Sequence, residues 1–317
     1  MSQRDHPEHR NTEALFSSLK EEGITLLRKQ PLASFTGFKA GGAAELFLEA
    51  ESWEDLAKTL AAAAALEVPV SVLGFGSNVL VSDEGVPGLC IRIGRSLSRI
   101  YREGEDLICE AGAPLWEAAA SAAREGLSGL EALAGIPGSV GGAIYMNAGA
   151  YEHSVSEITR SIEYLDKRGE RLLLSPEDFH FSYRKSFFSD VGGIVARVRF
   201  HLREGDSLEI YRKMAEYQEK RRRTQPLHQA SAGSSFKRPE GYFAGRLISD
   251  SGLKGWRKGN CGVSGMHAGF IVNYGGASAR EIYEVFQYVR QRVQENSGVL
   301  LEPEVKPLGE WGDLWNS

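Results

Sequence analysis

Apolar residues recur along the chain at two spacings, one typical of helices and the other of strands. Helical spacing or a helix-favouring composition predicts helices at residues 13–29, 53–66, 114–124, 208–223 and 279–295. Alternating or short apolar runs predict strands at residues 45–49, 68–73, 79–81, 89–93, 98–101, 106–111, 158–166, 172–174, 194–202 and 298–306. Helices and strands interleave along the whole chain, so the pattern favours an α+β fold.

Local residues mark some boundaries within this pattern. Ser52 stands where a helix N-cap belongs, and Pro114 stands at the start of a predicted helix. The polar interval 203–207 separates a predicted strand from a predicted helix, and we place a domain boundary there. The length of 317 residues agrees with two or three domains.

Composition and charge exclude several classes of protein. The chain carries 37 Lys and Arg against 42 Asp and Glu, a net charge of −5, and its one short basic cluster is Lys220 to Arg223. Binding of bulk nucleic acid or of an anionic membrane is therefore not expected. The three cysteines are far apart, which indicates a reduced, intracellular protein with buried thiols. No secretory leader or membrane span is evident, so a cytoplasmic location is expected.

Glycine is the outlier of the composition, with 36 residues where average usage predicts about 22. Two glycine clusters stand out, at residues 74–78 and 135–142. The first departs from the dinucleotide-binding fingerprint because Val79 stands at the third glycine position; the chain has neither a Walker loop nor a metal-binding histidine motif. Each cluster is either a tight turn or a source of bare backbone N–H groups that cradle a phosphate.

Several segments, taken in order, resemble one family of flavoproteins. They are residues 38–42, 73–80, 135–143, 147–150, 182–186, 232–237 and 301–306. They are similar to the vanillyl-alcohol-oxidase-type FAD-binding superfamily and, within it, to the UDP-N-acetylenolpyruvoylglucosamine reductases. No obvious inserted loop separates Arg184 from Ser234, so the chain resembles the second, shorter type of this family.

The resemblance implies a two-subdomain FAD-binding fold followed by an α+β substrate-binding domain. It divides the chain into an N-terminal helix and lead-in at 1–33, an FAD-binding domain at 34–204, with subdomains at 34–96 and 97–204, and a substrate-binding domain at 205–317. FAD binding is expected to be non-covalent, since residues 10–152 contain no histidine. The FAD-binding residues implied are Gly74, Gly76, Ser77, Asn78, Gly135, Ile136, Pro137, Gly138, Ser139, Gly141, Gly142, Ala143, Asn147 and Gly149.

The reaction that the resemblance implies is the NADPH-dependent reduction of UDP-N-acetylglucosamine enolpyruvate to UDP-N-acetylmuramate, a step in peptidoglycan precursor synthesis. Hydride added to the enolpyruvyl group leaves negative charge on the adjacent carboxylate. Arg184 is suited to bind that charge, Ser234 is implied as the proton donor, and Glu304 is implied as a third catalytic residue that orients the substrate. Glu302, two positions earlier, remains an alternative to Glu304.

Four further residues are implied in substrate binding: Tyr183, Arg223, Gln225 and Lys237. The expected partner is a small-molecule UDP-sugar, with no metal, nucleic acid or membrane, and we expect a monomer. Gly269 stands where asparagine is expected, which removes a polar side chain. Two other functions stay open: another FAD oxidoreductase of this fold acting on a sugar or hydroxy acid, and a flavin-binding or nucleotide-sugar-binding protein without activity.

Overall fold

The computed structural model describes residues 7–312 of the chain. Within these residues the helices are α1 Pro7–Glu21, α2 Trp53–Ala65, α3 Leu115–Arg124, α4 Val140–Tyr145, α5 Phe187–Asp190, α6 Ser207–Thr224, α7 Ala244–Asp250 and α8 Ala279–Ser297. The strands of the same residues are β1 Leu27–Pro31, β2 Ala43–Ala50, β3 Val70–Leu73, β4 Val79–Val81, β5 Val86–Ile93, β6 Ile100–Glu103, β7 Asp106–Glu110, β8 Leu127–Ser128, β9 Gly149–Ala150, β10 His153–Ser154, β11 Thr159–Leu165, β12 Arg171–Leu174, β13 Ile194–His201, β14 Arg203–Glu204, β15 Arg257–Lys258, β16 Cys261–Val263, β17 Ile271–Asn273 and β18 Lys306–Leu308. The outer ends of the first and last predicted domains, residues 1–6 and 313–317, lie outside the described residues.

The chain forms two compact units, and neither is continuous in sequence. The first unit consists of residues 7–28, Leu46–Phe75 and Gly88–Glu219, and the second of Lys29–Glu45, Gly76–Pro87 and residues 220–312. Strand pairing explains why β4 belongs with the C-terminal third: β18 pairs with it in parallel, with Lys306 opposite Val79. This division differs from the contiguous one expected at 1–33, 34–204 and 205–317.

The core of the first unit packs on a five-stranded antiparallel sheet with the order β12-β11-β13-β7-β6. Val198 on the central strand lies opposite Cys109 on one side and Ile162 on the other, and all three are buried. Burial of these residues sets the register, because a slip by one position would turn them to the opposite face. Another sheet has the order β1-β2-β5-β3, in which β3 and β5 are parallel.

The second unit is built around α8, whose apolar face is buried. Phe286 on this helix contacts Phe38 and Phe236, with ring centroids 6.3 and 5.3 Å apart. A three-stranded sheet of order β15-β16-β17 belongs to the same unit. The Asp83 carboxylate accepts a hydrogen bond from Ala279 N at 2.8 Å, so a segment distant in sequence anchors the start of α8.

Predicted helices are confirmed where neighbouring residues mark their start. Ser52 is the N-cap of α2, and its side chain accepts a hydrogen bond from Asp55 N at 3.0 Å. Pro114 immediately precedes α3, and α6 and α8 occupy nearly the predicted ranges. A cap depends on the few residues around it, which is why it is recognisable without tertiary context.

Two predicted elements are wrong. The first helix ends at Glu21, well before its predicted end, because Gly23 adopts φ +81 and its N–H bonds Lys20 O at 3.1 Å. Part of the remainder forms strand β1 instead. The long strand predicted near the C-terminus is absent from the described residues, where Gly298 at φ +73 closes α8 and strand β18 begins only at Lys306.

The three cysteines, Cys90, Cys109 and Cys261, are free and buried, as predicted. Burial raises the pKa of the Cys90 thiol to about 12 and is the main cause that raises the pKa of Cys261 to about 11. Such thiols stay protonated at neutral pH, where the thiolate is the reactive form. These cysteines therefore serve as small apolar side chains.

Candidate active site

The two glycine clusters come together in the first unit. A Cβ atom on Gly74, just after β3, would lie 2.9 Å from Ser139 Oγ, just before α4. Ser139 is buried, and its Oγ caps α4 by accepting a hydrogen bond from Gly142 N at 3.2 Å. Glycine at position 74 allows the backbone this close approach to the capping serine. The two segments implied for FAD therefore adjoin.

The second glycine cluster is not a loop throughout, because its last residues form α4. Gly141 N donates to Ala111 O at 2.9 Å, and Val140 N donates to Ala113 O at 2.8 Å. The expectation of bare N–H groups is therefore wrong at these two positions. A Cβ on Gly141 would lie 2.8 Å from the Cβ of Ala111, so this glycine supplies space for packing.

The first glycine cluster continues into the second unit at Gly76. Gly76 has φ +63, and a Cβ there would collide with the carbonyl oxygen of Phe35, so a side chain requires the backbone to move. Asn78 is held from near the C-terminus: its carbonyl accepts from Lys306 N at 3.0 Å, and its Nδ2 donates to Glu304 O at 3.3 Å. The structure thus brings Asn78 and Glu304 together.

The remaining residues implied for FAD belong to the same segments. Gly138 O accepts from Leu115 N at 3.0 Å, which fixes the second cluster to the start of α3. Ser77 is half-buried in the second unit beside Asn78. The others, all in the first unit, are Gly135, Ile136, Pro137, Ala143 and Gly149.

Arg184 lies in a tight turn of the first unit with a backbone φ of +58. Ser182 and Lys185 close the turn, since the N–H of each donates to the carbonyl of the other at 3.1 Å. A left-handed backbone costs a residue with a side chain about 1–2 kcal/mol, and such strain concentrates at functional sites. Arg184 is half-buried; its Nη2 donates to Gly149 O at 3.3 Å, and its guanidinium carbon lies 5.0 Å from the centre of the Tyr183 ring.

Two buried side chains hold this turn against the end of α4. Asn147 Nδ2 donates to Ser182 O at 2.9 Å, and Ser186 Oγ donates to Tyr145 O at 2.8 Å. Asn147 itself has φ +41, a conformation that asparagine tolerates better than most residues. Neither Ser182 nor Ser186 is among the site residues predicted from the sequence, and Ser182 acts through its backbone, which leaves no sign in the sequence.

Ser234 is exposed in the second unit, whereas its neighbour Ser235 is fully buried. Ser235 N donates to Gly269 O at 2.8 Å, and Ser235 Oγ accepts from Ile271 N at 2.7 Å. The carbonyl of Ser235 accepts from Glu304 N at 2.9 Å. Ser235 therefore fixes the backbone that carries Ser234 and ties it to Glu304. The sequence offers no sign of which of the two adjacent serines is buried.

The two glutamates that the sequence leaves open have different surroundings. Glu302 is exposed, and its carboxylate forms an ion pair with Lys237 Nζ. Lys237 N also donates to Glu302 O at 2.8 Å, so these two residues are joined twice. Glu304 is half-buried, and its backbone bonds both Ser235 and Asn78. Of the two glutamates, Glu304 is the one tied to the serine and glycine segments.

The other residues implied in substrate binding are divided between the units. Tyr183 is exposed beside Arg184 in the first unit, and Arg223 is exposed near the end of α6. Gln225 follows that helix, and its N–H donates to Arg221 O at 2.8 Å. Within residues 7–312, no donor reaches Gln225 Oε1 although that atom is buried. A buried acceptor without a donor costs about 1–3 kcal/mol, so Gln225 is a candidate for contact with a ligand.

Gly269, where asparagine is expected, leaves room for His267 to fold back on the chain. A Cβ on Gly269 would lie 2.9 Å from His267 Cε1, and Gly269 N donates to His267 Nδ1 at 3.0 Å. Burial lowers the pKa of His267, so the ring is neutral at neutral pH and carries its proton on Nε2. A histidine contact thus occupies the place of the expected polar side chain.

The described part of the chain lacks both a metal cluster and a membrane-spanning helix. Residues 7–312 hold no group of three or more His, Cys, Asp or Glu side chains placed to bind a metal ion. In the same range no helix is both long and apolar enough to cross a membrane. The candidate residues of the first unit are glycine-rich backbone and Arg184, and those of the second unit include Ser234 and Glu304.

The first half of the chain defines the class of protein. Residues 44–175 match the family model described as FAD binding domain. This range contains Gly74, Ser139 and Asn147, which the structure gathers in the first unit. The chain is therefore a flavoprotein of the FAD-binding class.

The C-terminal third and the whole-chain relatives narrow the class to a family. Residues 225–308 match the model described as UDP-N-acetylenolpyruvoylglucosamine reductase, C-terminal domain. Proteins of that name from Exiguobacterium sibiricum and Shouchella clausii are each 44% identical, covering 94% and 92% of this chain and 99% and 94% of their own. The crystal structure of UDP-N-acetylenolpyruvylglucosamine reductase from Thermus caldophilus aligns at 40% identity with a TM-score of 0.77, covering 90% of this chain and 98% of that one. The chain belongs to the UDP-N-acetylenolpyruvoylglucosamine reductase family and is an FAD-dependent oxidoreductase.

These matches confirm the predicted family, the α+β fold class and FAD as cofactor. Relatives spanning nearly the whole chain at 44% identity carry the reductase name. The alternatives of a sugar or hydroxy-acid oxidoreductase and of a binding protein without activity are therefore set aside.

Proposed function

We propose that the protein reduces UDP-N-acetylglucosamine enolpyruvate to UDP-N-acetylmuramate with NADPH, for peptidoglycan precursor synthesis. The observation that carries the proposal is the match of residues 225–308 to the reductase C-terminal model, within which the bond from Glu304 N to Ser235 O ties Glu304 to the residue after Ser234. A proton donor next to a group that handles a carboxylate is what this reduction requires. The proposed partner is a small-molecule UDP-sugar, and the proposed form is a cytoplasmic monomer.

One unpaired acceptor in the glycine-rich segments fits FAD. Gly74 and Gly76 themselves pack against Ser139 Oγ and Phe35 O, so a side chain at either position would shift the segments proposed to hold the cofactor. Asn147 Oδ1 is buried, and no donor in the described part of the chain reaches it, so it can accept an N–H from bound FAD. The residues proposed to hold FAD without a covalent link are Gly74, Gly76, Ser77, Asn78, Gly135, Ile136, Pro137, Gly138, Ser139, Gly141, Gly142, Ala143, Asn147 and Gly149.

Bound FAD supplies the hydride chemistry, and side chains of the protein manage charge and the proton. Arg184 is proposed to bind the substrate carboxylate, on which negative charge grows as the double bond is reduced. A guanidinium is always charged and contacts both oxygens of a carboxylate. Because the turn holds it in place beforehand, it binds the developing charge more tightly than the unreacted substrate, which lowers the barrier.

Ser234 is proposed to protonate the carbanion next to the carboxylate. A hydroxyl is a weak acid, but a carbanion is a far stronger base, so the transfer is favourable. Glu304 is proposed to orient or polarise the carboxylate end of the substrate, for which it must be protonated or paired. Its half-buried position favours it over Glu302, whose carboxylate is already paired with Lys237.

Tyr183, Arg223, Gln225 and Lys237 are proposed to contact the UDP-sugar. An aromatic ring suits the face of a base or sugar, and cations suit the diphosphate. Gln225 offers the buried Oε1 as an acceptor. Lys237 must exchange its pairing with Glu302 for a phosphate oxygen.

Flavin absorbance tests the proposed function. NADPH added to the purified holoenzyme without oxygen should bleach the flavin, and the enolpyruvyl UDP-sugar should then restore its colour. A flavin that NADPH does not bleach, or a reduced flavin that this substrate does not reoxidise, contradicts the proposal.

The Gly74→Ala variant is expected to retain FAD about tenfold more weakly, because the new Cβ displaces Ser139 Oγ from its capping bond, worth about 1 kcal/mol. FAD fluorescence on dilution measures the dissociation constant. Gly265→Ala is the control, since the nearest atom to its Cβ lies 4.0 Å away. Equal FAD affinity in Gly74→Ala and the parent would show that the contact does not shape the cofactor site.

Glu304→Gln is expected to slow flavin reoxidation by the substrate about 100-fold, because the amide cannot serve as an acid or carry charge. Glu302→Gln loses an exposed ion pair worth less than about 1 kcal/mol and should leave the rate unchanged. Stopped-flow absorbance of the reduced enzymes gives both rates. The reverse order of effects would assign the role to Glu302.

A further inference from the structure

Asn147 joins two parts of the first unit that are distant in sequence. Its Nδ2 donates to Ser182 O at 2.9 Å, and Ser182 closes the turn that carries Arg184. Asn147 is 8% exposed, and its amide is a second donor to Ser182 O, which also accepts from Lys185 N at 3.1 Å within the turn. The amide therefore acts on the backbone that places Arg184.

The turn has anchors on both sides of Arg184. Before it, Ser182 O is bound by Asn147; after it, Ser186 Oγ donates to Tyr145 O at 2.8 Å. Both anchors lead to the end of α4, which the cap at its start and the bonds to neighbouring segments hold in place. Two anchors fix both the position and the orientation of the turn, whereas a single anchor would let the turn rotate about it.

We propose that Asn147 is a positioning residue for the reaction, which holds the Arg184 turn in the orientation that receives the substrate carboxylate. The inference rests on the proposed role of Arg184. A misplacement of about 1 Å at such a group can cost about 100-fold in rate. Loss of the Asn147 amide should consequently impair the reaction with the enolpyruvyl UDP-sugar more than the reaction with NADPH.

The Asn147→Gly variant removes the amide without adding backbone strain, since glycine adopts φ +41 readily, whereas alanine does not. Ser186→Ala removes the second anchor and lies outside the residues proposed to hold FAD. Lys185→Ala is the matched control within the turn, because its side chain forms an exposed pair with Asp190 at 2.9 Å, and such surface pairs contribute little. All three are assayed as holoenzymes, first without and then with excess FAD.

Stopped-flow absorbance separates the two half-reactions. For Asn147→Gly we expect reoxidation by the enolpyruvyl UDP-sugar to slow by about 10-fold to 100-fold more than flavin reduction by NADPH, with a raised KM for that substrate. Ser186→Ala should show the same pattern, and Lys185→Ala neither change. In an Arg184→Ala background, Asn147→Gly should cause no further slowing, because the residue acts through Arg184.

Other outcomes overturn the inference. Recovery of reoxidation when excess FAD is added would show that Asn147 serves the cofactor alone. A lower melting temperature with both half-reactions intact would show a structural role alone, and further slowing in the Arg184→Ala background would place its action elsewhere. A parent enzyme that the substrate does not reoxidise overturns the proposed function and this inference together, whereas an unaffected Asn147→Gly variant overturns the inference only.

Discussion

Replacement of Arg184 with alanine is expected to slow reoxidation of the reduced flavin by the enolpyruvyl UDP-sugar about 1000-fold, the scale on which a preorganised group that binds developing charge contributes. Reduction by NADPH should stay close to the parent rate, since no negative charge develops on a substrate carboxylate in that step. Alanine keeps the Cβ atom, so the backbone at φ +58 is equally strained in both proteins and the comparison reports the guanidinium. Anaerobic stopped-flow absorbance measures both rates.

Two variants control for charge and for the turn. Lys185→Ala removes an adjacent cation that pairs with Asp190 on the surface, and it should react like the parent. Arg184→Lys keeps the charge and loses the planar fork, so its rate should fall between parent and Arg184→Ala. The assignment would be refuted if Arg184→Ala were reoxidised as fast as the parent. It would also be refuted if Lys185→Ala were reoxidised as slowly as Arg184→Ala.

Replacement of Ser234 with alanine is expected to slow the same half-reaction by about 100-fold to 10,000-fold, which is the usual contribution of a positioned proton donor. FAD binding and reduction by NADPH should not change, because Ser234 is exposed and stands outside the residues proposed to hold FAD. Single-turnover reoxidation of the prereduced variant is the measurement. Ser234→Cys, which keeps a proton on a similar side chain, should recover part of the rate.

Ser235→Ala is the matched control, since the two serines are adjacent. This change leaves the N–H of Ile271 without its buried acceptor and should cost about 1–3 kcal/mol of stability, visible as a lower melting temperature. It removes no group that faces solvent, so its rate, taken below the melting transition, should fall much less than that of Ser234→Ala. Equal losses in the two variants would mean that backbone position, and not the Ser234 hydroxyl, limits the reaction.

Features that depend on a few neighbouring residues could be predicted from the sequence. The N-cap at Ser52 and the start of α3 after Pro114 are examples, because a cap involves only the first turn of its helix. The glycine-rich segments that contain Gly74 and Ser139 could also be located, because a close backbone approach requires glycine and so raises the local glycine content. The contact between these two segments could be seen only in the folded structure.

Features that depend on distant partners could not be predicted. Gly141 resembles a free amide in the sequence, yet its N–H donates to the carbonyl of Ala111, which follows β7. The spacing of Glu302 and Glu304 predicts that they share one face of a strand, but no strand forms at these positions. Glu302 pairs with Lys237, so the two glutamates have different surroundings. Tertiary contacts decide such cases, and a single sequence contains no record of them.

The pairing of β4 with β18 has a consequence for how the protein is made. The partner of β4, from Lys306 to Leu308, is synthesised long after β4 itself. Until then β4 presents an unpaired strand edge, which is a site for mistaken association with other chains. In the same way, Phe38 lacks its contact with Phe286 until α8 has been synthesised. A translation product that stops short of Lys306 therefore lacks β18, the partner of β4 in the second unit. We expect quality-control proteases and chaperones to treat it as incompletely folded.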